Sequence, residues 1–101
     1  MIGFREVPVA DVASLVDAET QLIDVRQPRE VAEGTLDGAV NIPLDHLVIR
    51  VRELDPNRRT IVFCRSGARS IQAAEFLAAA GFDDVINLAG GMLAYRQGVS
   101  P

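Results

Sequence analysis

The chain contains no lysine or tryptophan, and only one cysteine, one histidine and one tyrosine. Each shortage excludes something. One cysteine cannot close an internal disulfide, nor can it supply a cysteine-based zinc site. A free thiol is easiest to keep in a reducing compartment, which points to the cytoplasm. The start, Met1-Ile2-Gly3-Phe4-Arg5-Glu6, lacks the charged and apolar regions of a signal peptide. No apolar stretch approaches the ~20 residues that span a bilayer. A formal net charge of −4 leaves no general basic footprint for nucleic acid, although all ten basic residues are arginine. With one histidine, a Cys–His dyad would rest on His46, early in a helical stretch where histidine is ordinarily just solvated. The expectation is therefore a monomer with no cofactor, metal, nucleic acid or membrane partner.

What is present fits one compact domain over residues 1–101, with 49 % hydrophobic content to build its core. Short apolar runs alternate with helical patterns. Strands are predicted over residues 4–7, 21–25, 38–42, 60–63 and 84–88. Helices are predicted over 9–18, with Val12, Leu15 and Val16 on one face, and over 28–33, with proline in the first turn. A third spans 44–54 with a stripe of Leu47, Val48, Val51 and Leu54, and residues 55–57 form a turn. The clearest helix runs over 68–80, with Ile71, Ala74, Leu77 and Ala78 as its buried stripe. Phe76 falls near its polar side, and the pattern does not explain it. Gly81 suits a left-handed cap with Phe82 folded back on Leu77. A last short helix covers 92–97.

This alternation predicts an α/β fold, a parallel sheet covered by helices on both faces. The C-terminal ends of such strands share one edge, and sites form there. That edge would collect Cys64, Asp24-Val25-Arg26, Asn41-Ile42-Pro43 and Ala89-Gly90-Gly91 from distant parts of the chain. Cys64 closes the apolar run Thr60-Ile61-Val62-Phe63 and opens Arg65-Ser66-Gly67-Ala68-Arg69-Ser70. A lone cysteine is ordinarily a small buried hydrophobe. A thiol at a strand end, facing a helix N-terminus between two arginines, lies instead in a field that favours the thiolate.

Three groups of residues resemble the rhodanese family. Leu22-Ile23-Asp24-Val25-Arg26, Glu33-Gly34 and Gly38-Ala39-Val40-Asn41-Ile42-Pro43 resemble its first signature. Cys64-Arg65-Ser66-Gly67-Ala68-Arg69-Ser70 resembles its active-site loop. Ala80-Gly81-Phe82 and Leu88-Ala89-Gly90-Gly91-Met92 resemble its closing segment. The likeness covers nearly the whole chain in order and implies a five-stranded parallel sheet between helices. Thr35 stands where many relatives carry histidine, and Tyr95 where many carry tryptophan. Both positions look structural.

The resemblance implies sulfur transfer, with Cys64 the catalytic nucleophile. Its thiolate would take the outer sulfur of a small anionic donor such as thiosulfate, forming a persulfide. A thiol, cyanide or a sulfur-accepting protein would then receive that sulfur. A helix N-terminus shifts a thiol from its usual pKa of about 8.5 by ~1.5 units at most, so loop amides forming an anion nest must add to it. Within the substrate-binding loop, Gly67 supplies unusual backbone angles, and Ala68 opens the helix. Ser66 and Ser70 either bond the loop or cap the helix. Arg65 would face solvent and recruit the anion. Arg69 would pair with Asp24 as support, while Arg26 and, more weakly, Arg29 lie near the same edge as anion-binding candidates.

Two rival functions share this fold class. Related cysteine phosphatases and arsenate reductases use a loop with five residues between cysteine and arginine. Here four separate Cys64 from Arg69, a cradle better sized for one sulfur atom. A non-catalytic interaction module is the other rival, since fold does not fix function. Such a module can lose the thiol, and this chain carries Cys64 and a full loop.

Overall fold

A computed structural model describes residues 3–98. Five strands form one parallel sheet in the order β1-β5-β4-β2-β3, with β1 at Phe4–Pro8, β2 at Gln21–Asp24, β3 at Val40–Asn41, β4 at Thr60–Phe63 and β5 at Val85–Ala89. The α-helices are α1 at Pro28–Val31, α2 at Leu44–Arg50, α3 at Ala68–Ala79 and α4 at Gly91–Gly98. No helix among the described residues is long and apolar enough to cross a membrane.

Pleating divides the core. Ile61 and Phe63 point to one face, where Val9, Leu22, Leu36, Ile86, Leu88 and Met92 join them beneath α4. Val62 and Cys64 point to the other, with Ile23, Val25, Ile42, Leu47, Ala73, Ala74 and Leu77 beneath α2 and α3. Cys64 therefore continues the alternation of β4 onto the α3 face. All four residues of the central strand β4 are buried, which explains the apolar run Ile61-Val62-Phe63 after Thr60.

Several elements depart from the pattern. The helix expected over 9–18 is a 3₁₀ turn over Val9–Ser14. It ends because Asp17 starts a competing local structure: its carboxylate accepts from the Glu19 amide at 2.8 Å and the Thr20 hydroxyl at 3.0 Å. Val12 and Leu15 still pack on the core, but Val16 is exposed. The helix expected over 44–54 is α2 followed by a 3₁₀ turn over Val51–Glu53, and Val48 faces solvent rather than joining the stripe. α1 ends two residues early, and β3 keeps only Val40–Asn41 of its expected five.

In α3 the buried stripe is Ser70, Ala73, Ala74 and Leu77, with Ile71 and Ala78 half-buried. The helix is rotated because Ser70 is drawn inward to the Cys64 sulfur, a polar contact that hydrophobic periodicity does not register. The same rotation brings Phe76 partly into the core. Gly81 takes φ +95° and caps α3, with the Phe82 amide donating to the Leu77 carbonyl at 3.1 Å.

Candidate active site

The loop after β4 reverses within three residues and feeds α3. Gly67 makes this possible with φ +106°, a left-handed value that other residues adopt only under strain. The turn aims the Gly67 amide back at Cys64, where it donates to Sγ at 3.1 Å. One turn into α3, the Ser70 hydroxyl lies 3.4 Å from Sγ and 3.2 Å from the Gly67 carbonyl. Its single proton can serve either acceptor, and an ionised sulfur draws it. Ser70 is thus both a helix-start residue and a direct sulfur contact.

Cys64 has none of its surface exposed (0 %). Burial is the largest influence on its thiol and pushes the pKa up. The Ser70 hydroxyl, followed by the amides of Ser70, Gly67 and Ser66, more than offsets that burial, so the net displacement is downward. The anion is favoured chiefly by uncharged donors rather than by a neighbouring base. His46 is more than half exposed at the start of α2, with Nε2 4.0 Å from Asp45 Oδ2.

The carbonyl side of the loop is fixed from the opposite face of the sheet. The Met92 amide donates to the Cys64 carbonyl and the Leu93 amide to the Arg65 carbonyl, both at 2.9 Å. The first turn of α4 therefore grips the backbone on both sides of the Cys64–Arg65 peptide. Gly91 is the hinge of this grip. Its φ is +54°, and a Cβ there would collide with the Cys64 carbonyl and lie 2.7 Å from that of Arg65. Sequence reasoning placed Gly90-Gly91 at the edge without seeing this clamp; the glycine pair closing a strand was the available signal.

Arg65, Ser66 and Ala68 are exposed. The Arg65 side chain makes no hydrogen bond or ion pair among the described residues, and the same holds for the Arg29 side chain. The expected Arg69–Asp24 pair does not form. Arg69 instead holds Glu30 through two bonds, 2.7 Å to Oε1 and 2.8 Å to Oε2. The cause is the pleat of β2: Leu22 and Asp24 point to the α4 face, away from Cys64 and α3. There the buried Asp24 pairs with Arg26, at 2.7 Å between Oδ2 and one guanidinium nitrogen, and accepts from the Thr35 hydroxyl at 2.7 Å.

Arg26 also donates to the carbonyls of Gly34 at 2.7 Å and Glu30 at 3.3 Å. Its charge is committed inside the protein, 2 % exposed, and does not meet an anion at the surface. Thr35 is accordingly structural. Glu30, which sequence reasoning passed over, is the residue that ties the β2–α1 loop to α3. A cavity of about 440 Å³, lined in part by Val12, Val16, Leu36, Thr35 and Tyr95, lies on the α4 face and does not include Cys64.

Comparison with known proteins agrees with this geometry. The model of the Rhodanese-like domain matches residues 9–97. A sulfurtransferase of Allochromatium vinosum is 40 % identical over 84 residues, covering 82 % of this chain and 78 % of that protein. The thiosulfate sulfurtransferase GlpE of Shewanella oneidensis is 32 % identical over 98 residues, covering 96 % and 97 %. A tRNA uridine(34) hydroxylase of Xanthomonas campestris is 37 % identical over 84 residues, but the match spans only 33 % of that longer protein. The crystal structure of a rhodanese-related protein from Thermoplasma volcanium superimposes with a TM-score of 0.86 at 28 % identity, covering 96 % of this chain and 95 % of that one. The five-stranded parallel sheet and the likeness to that structure show a rhodanese-like fold. The chain belongs to the rhodanese family.

Proposed function

We propose that the protein is a sulfurtransferase that carries sulfane sulfur as a persulfide on Cys64. The observation behind this reading is the cradle itself: a buried sulfur receiving the Gly67 amide at 3.1 Å with the Ser70 hydroxyl at 3.4 Å. In loading, the Cys64 thiolate attacks the outer sulfur of thiosulfate. A new S–S bond forms, the donor S–S bond breaks, and sulfite leaves with the electron pair. In unloading, a thiolate or cyanide attacks the outer persulfide sulfur, and Cys64 leaves as the thiolate. The inward amide and hydroxyl stabilise the negative sulfur in both directions. Cys64 is the one cysteine of these 101 residues, and the acceptor in this reading is a separate thiol or cyanide. Exposed Arg65 would draw the dianionic donor to the mouth.

The phosphatase reading fits less well. Wrapping a phosphate requires an arginine that faces the oxyanion, and Arg69 is forked onto Glu30. The deciding experiment is intact mass after incubation with thiosulfate. Gain of one sulfur by the parent, absent from Cys64→Ala, is the expected result. No gain would favour a non-catalytic module. Hydrolysis of p-nitrophenyl phosphate at a rate comparable to sulfur transfer would favour a phosphatase.

A further inference from the structure

Arg69 is a cation on the first turn of α3 with Cys64 nearby, yet its charge is directed elsewhere. Both terminal guanidinium nitrogens lie on Glu30, at 2.7 and 2.8 Å. The carboxylate is itself fixed, because Oε1 accepts the Gln27 amide at 3.1 Å in the capping box of α1. Among the described residues no hydrogen bond joins Arg69 to Sγ; the sulfur's partners are the Gly67 amide and the Ser70 hydroxyl. The pair is strong enough to hold the Glu30 carboxyl down at about 2, first through the Arg69 hydrogen bonds. An attraction between Arg69 and the Cys64 charge exists but ranks below the pairing with Glu30.

The other charges at this edge do not replace that arrangement. Asp24 and Arg26 neutralise each other on the far face of β2. Asp45 and His46 at the start of α2 are mostly exposed, as are Arg29 and Arg65. Gly91-Met92-Leu93, the first turn of α4, brings no ionisable group.

We propose that Glu30 is a positioning residue that holds the charge of Arg69 off the Cys64 sulfur, leaving the sulfur anion to uncharged donors. This rests on the sulfurtransferase reading for its purpose. The same sulfur must be a nucleophile when it is loaded and a leaving group when it is unloaded. A cation resting on it lowers its basicity, which speeds departure and slows attack. Glu30 sets the balance toward attack, while the Gly67 amide and Ser70 hydroxyl keep enough anion present.

The experiment is the pH dependence of iodoacetamide alkylation in the parent, Glu30→Gln, Arg69→Gln and the double variant. Glutamine at 30 keeps an oxygen for the Gln27 amide and removes only the charge. The midpoint of Glu30→Gln should fall by at least ~0.5 unit as Arg69 turns to the sulfur. Arg69→Gln should raise it, because the Glu30 charge is then uncompensated, and the double variant should return near the parent. With thiosulfate, the rate constant of the Glu30→Gln thiolate should fall roughly 1.7-fold for each half unit. A merely structural Glu30 would loosen the cradle, so its loss would raise the midpoint or leave it unmoved, and either result overturns the proposal. If Glu30→Gln does not fold, Arg69→Gln decides: an unchanged or lower midpoint refutes it. Alkylation needs no sulfur donor, so absence of persulfide would count against the sulfurtransferase reading and leave the charge test standing.

Discussion

Ser70→Ala removes one hydroxyl and tests whether the cradle sets the charge of the sulfur. The hydroxyl is the foremost of the groups that lower the Cys64 pKa against the opposing effect of burial. A hydrogen bond to a charged group contributes about 1.5–3 kcal/mol in good geometry. Here the contact is 3.4 Å, and the same proton has an alternative acceptor 3.2 Å away in the Gly67 carbonyl. The lower end of that range applies, about 1.5 kcal/mol, which corresponds to about one pKa unit. The Cys64 midpoint should therefore rise by about one unit in Ser70→Ala. Below both midpoints the thiolate population falls about tenfold, and persulfide formation at limiting thiosulfate falls with it. The assay is alkylation rate against pH, with circular dichroism to verify the fold. Alanine suits a helix and leaves only a small void, so folding should survive. A midpoint that stays put or moves down would show that the hydroxyl serves the Gly67 carbonyl alone.

Other expectations follow from the same contacts. Arg65→Ala should raise KM for thiosulfate up to about fivefold with little change in kcat, since an exposed cation contributes roughly 0.2–1 kcal/mol; a fall in kcat alone would refute the rim assignment. Gly91→Ala should destabilise by about 2–4 kcal/mol through left-handed strain and collision with the Cys64 carbonyl, read as a drop in Tm of at least about 8 °C, and an unchanged Tm would deny the clamp. Glu30 has a folded pKa of about 2 against an ordinary 4.5, so its pairing stabilises fully above about pH 4.5 and is lost as pH falls toward 2. With Arg69 35 % exposed, solvent screening reduces that contribution to about 1–2 kcal/mol, and urea unfolding of Glu30→Gln should lack this acid loss between those pH values.

The sheet was legible where local preference and burial agree. β4 and β5 are interior strands with buried side chains, and they read as apolar runs, Ile61-Val62-Phe63 in β4 and a run broken only at Asn87 in β5. Gly81 and Phe82 announced the end of α3 because a left-handed cap has few chemical solutions. The segment after β1 misled because apolar spacing from Val12 to Val16 suits a helix while Asp17 and Thr20 offer the backbone a better local bond. α3 misled in phase only. Ser70 is polar by type and buried by function, and a hydrophobic stripe has no means of including it.

The site shows a related division. Cys64, Gly67 and Ser70 could be read because they lie within one loop, where spacing in sequence is spacing in space. Arg69 could not be assigned a partner by proximity to the edge alone. Asp24 and Glu30 both lie near that edge, and the pleat decides against Asp24. Asp24 lies on the same side of β2 as Leu22, opposite Ile23 and Val25, and α3 covers the latter pair. That parity is legible in the sequence once β2 is placed, and it takes Asp24 out of the reach of Arg69. Glu30 then remains as the acid on the next element, at the third position of a helix begun by Pro28. The consequence is chemical: an arginine forked onto a carboxylate has fewer donors and less freedom to turn onto an oxyanion, whereas a single sulfur needs only the amide and hydroxyl that face it.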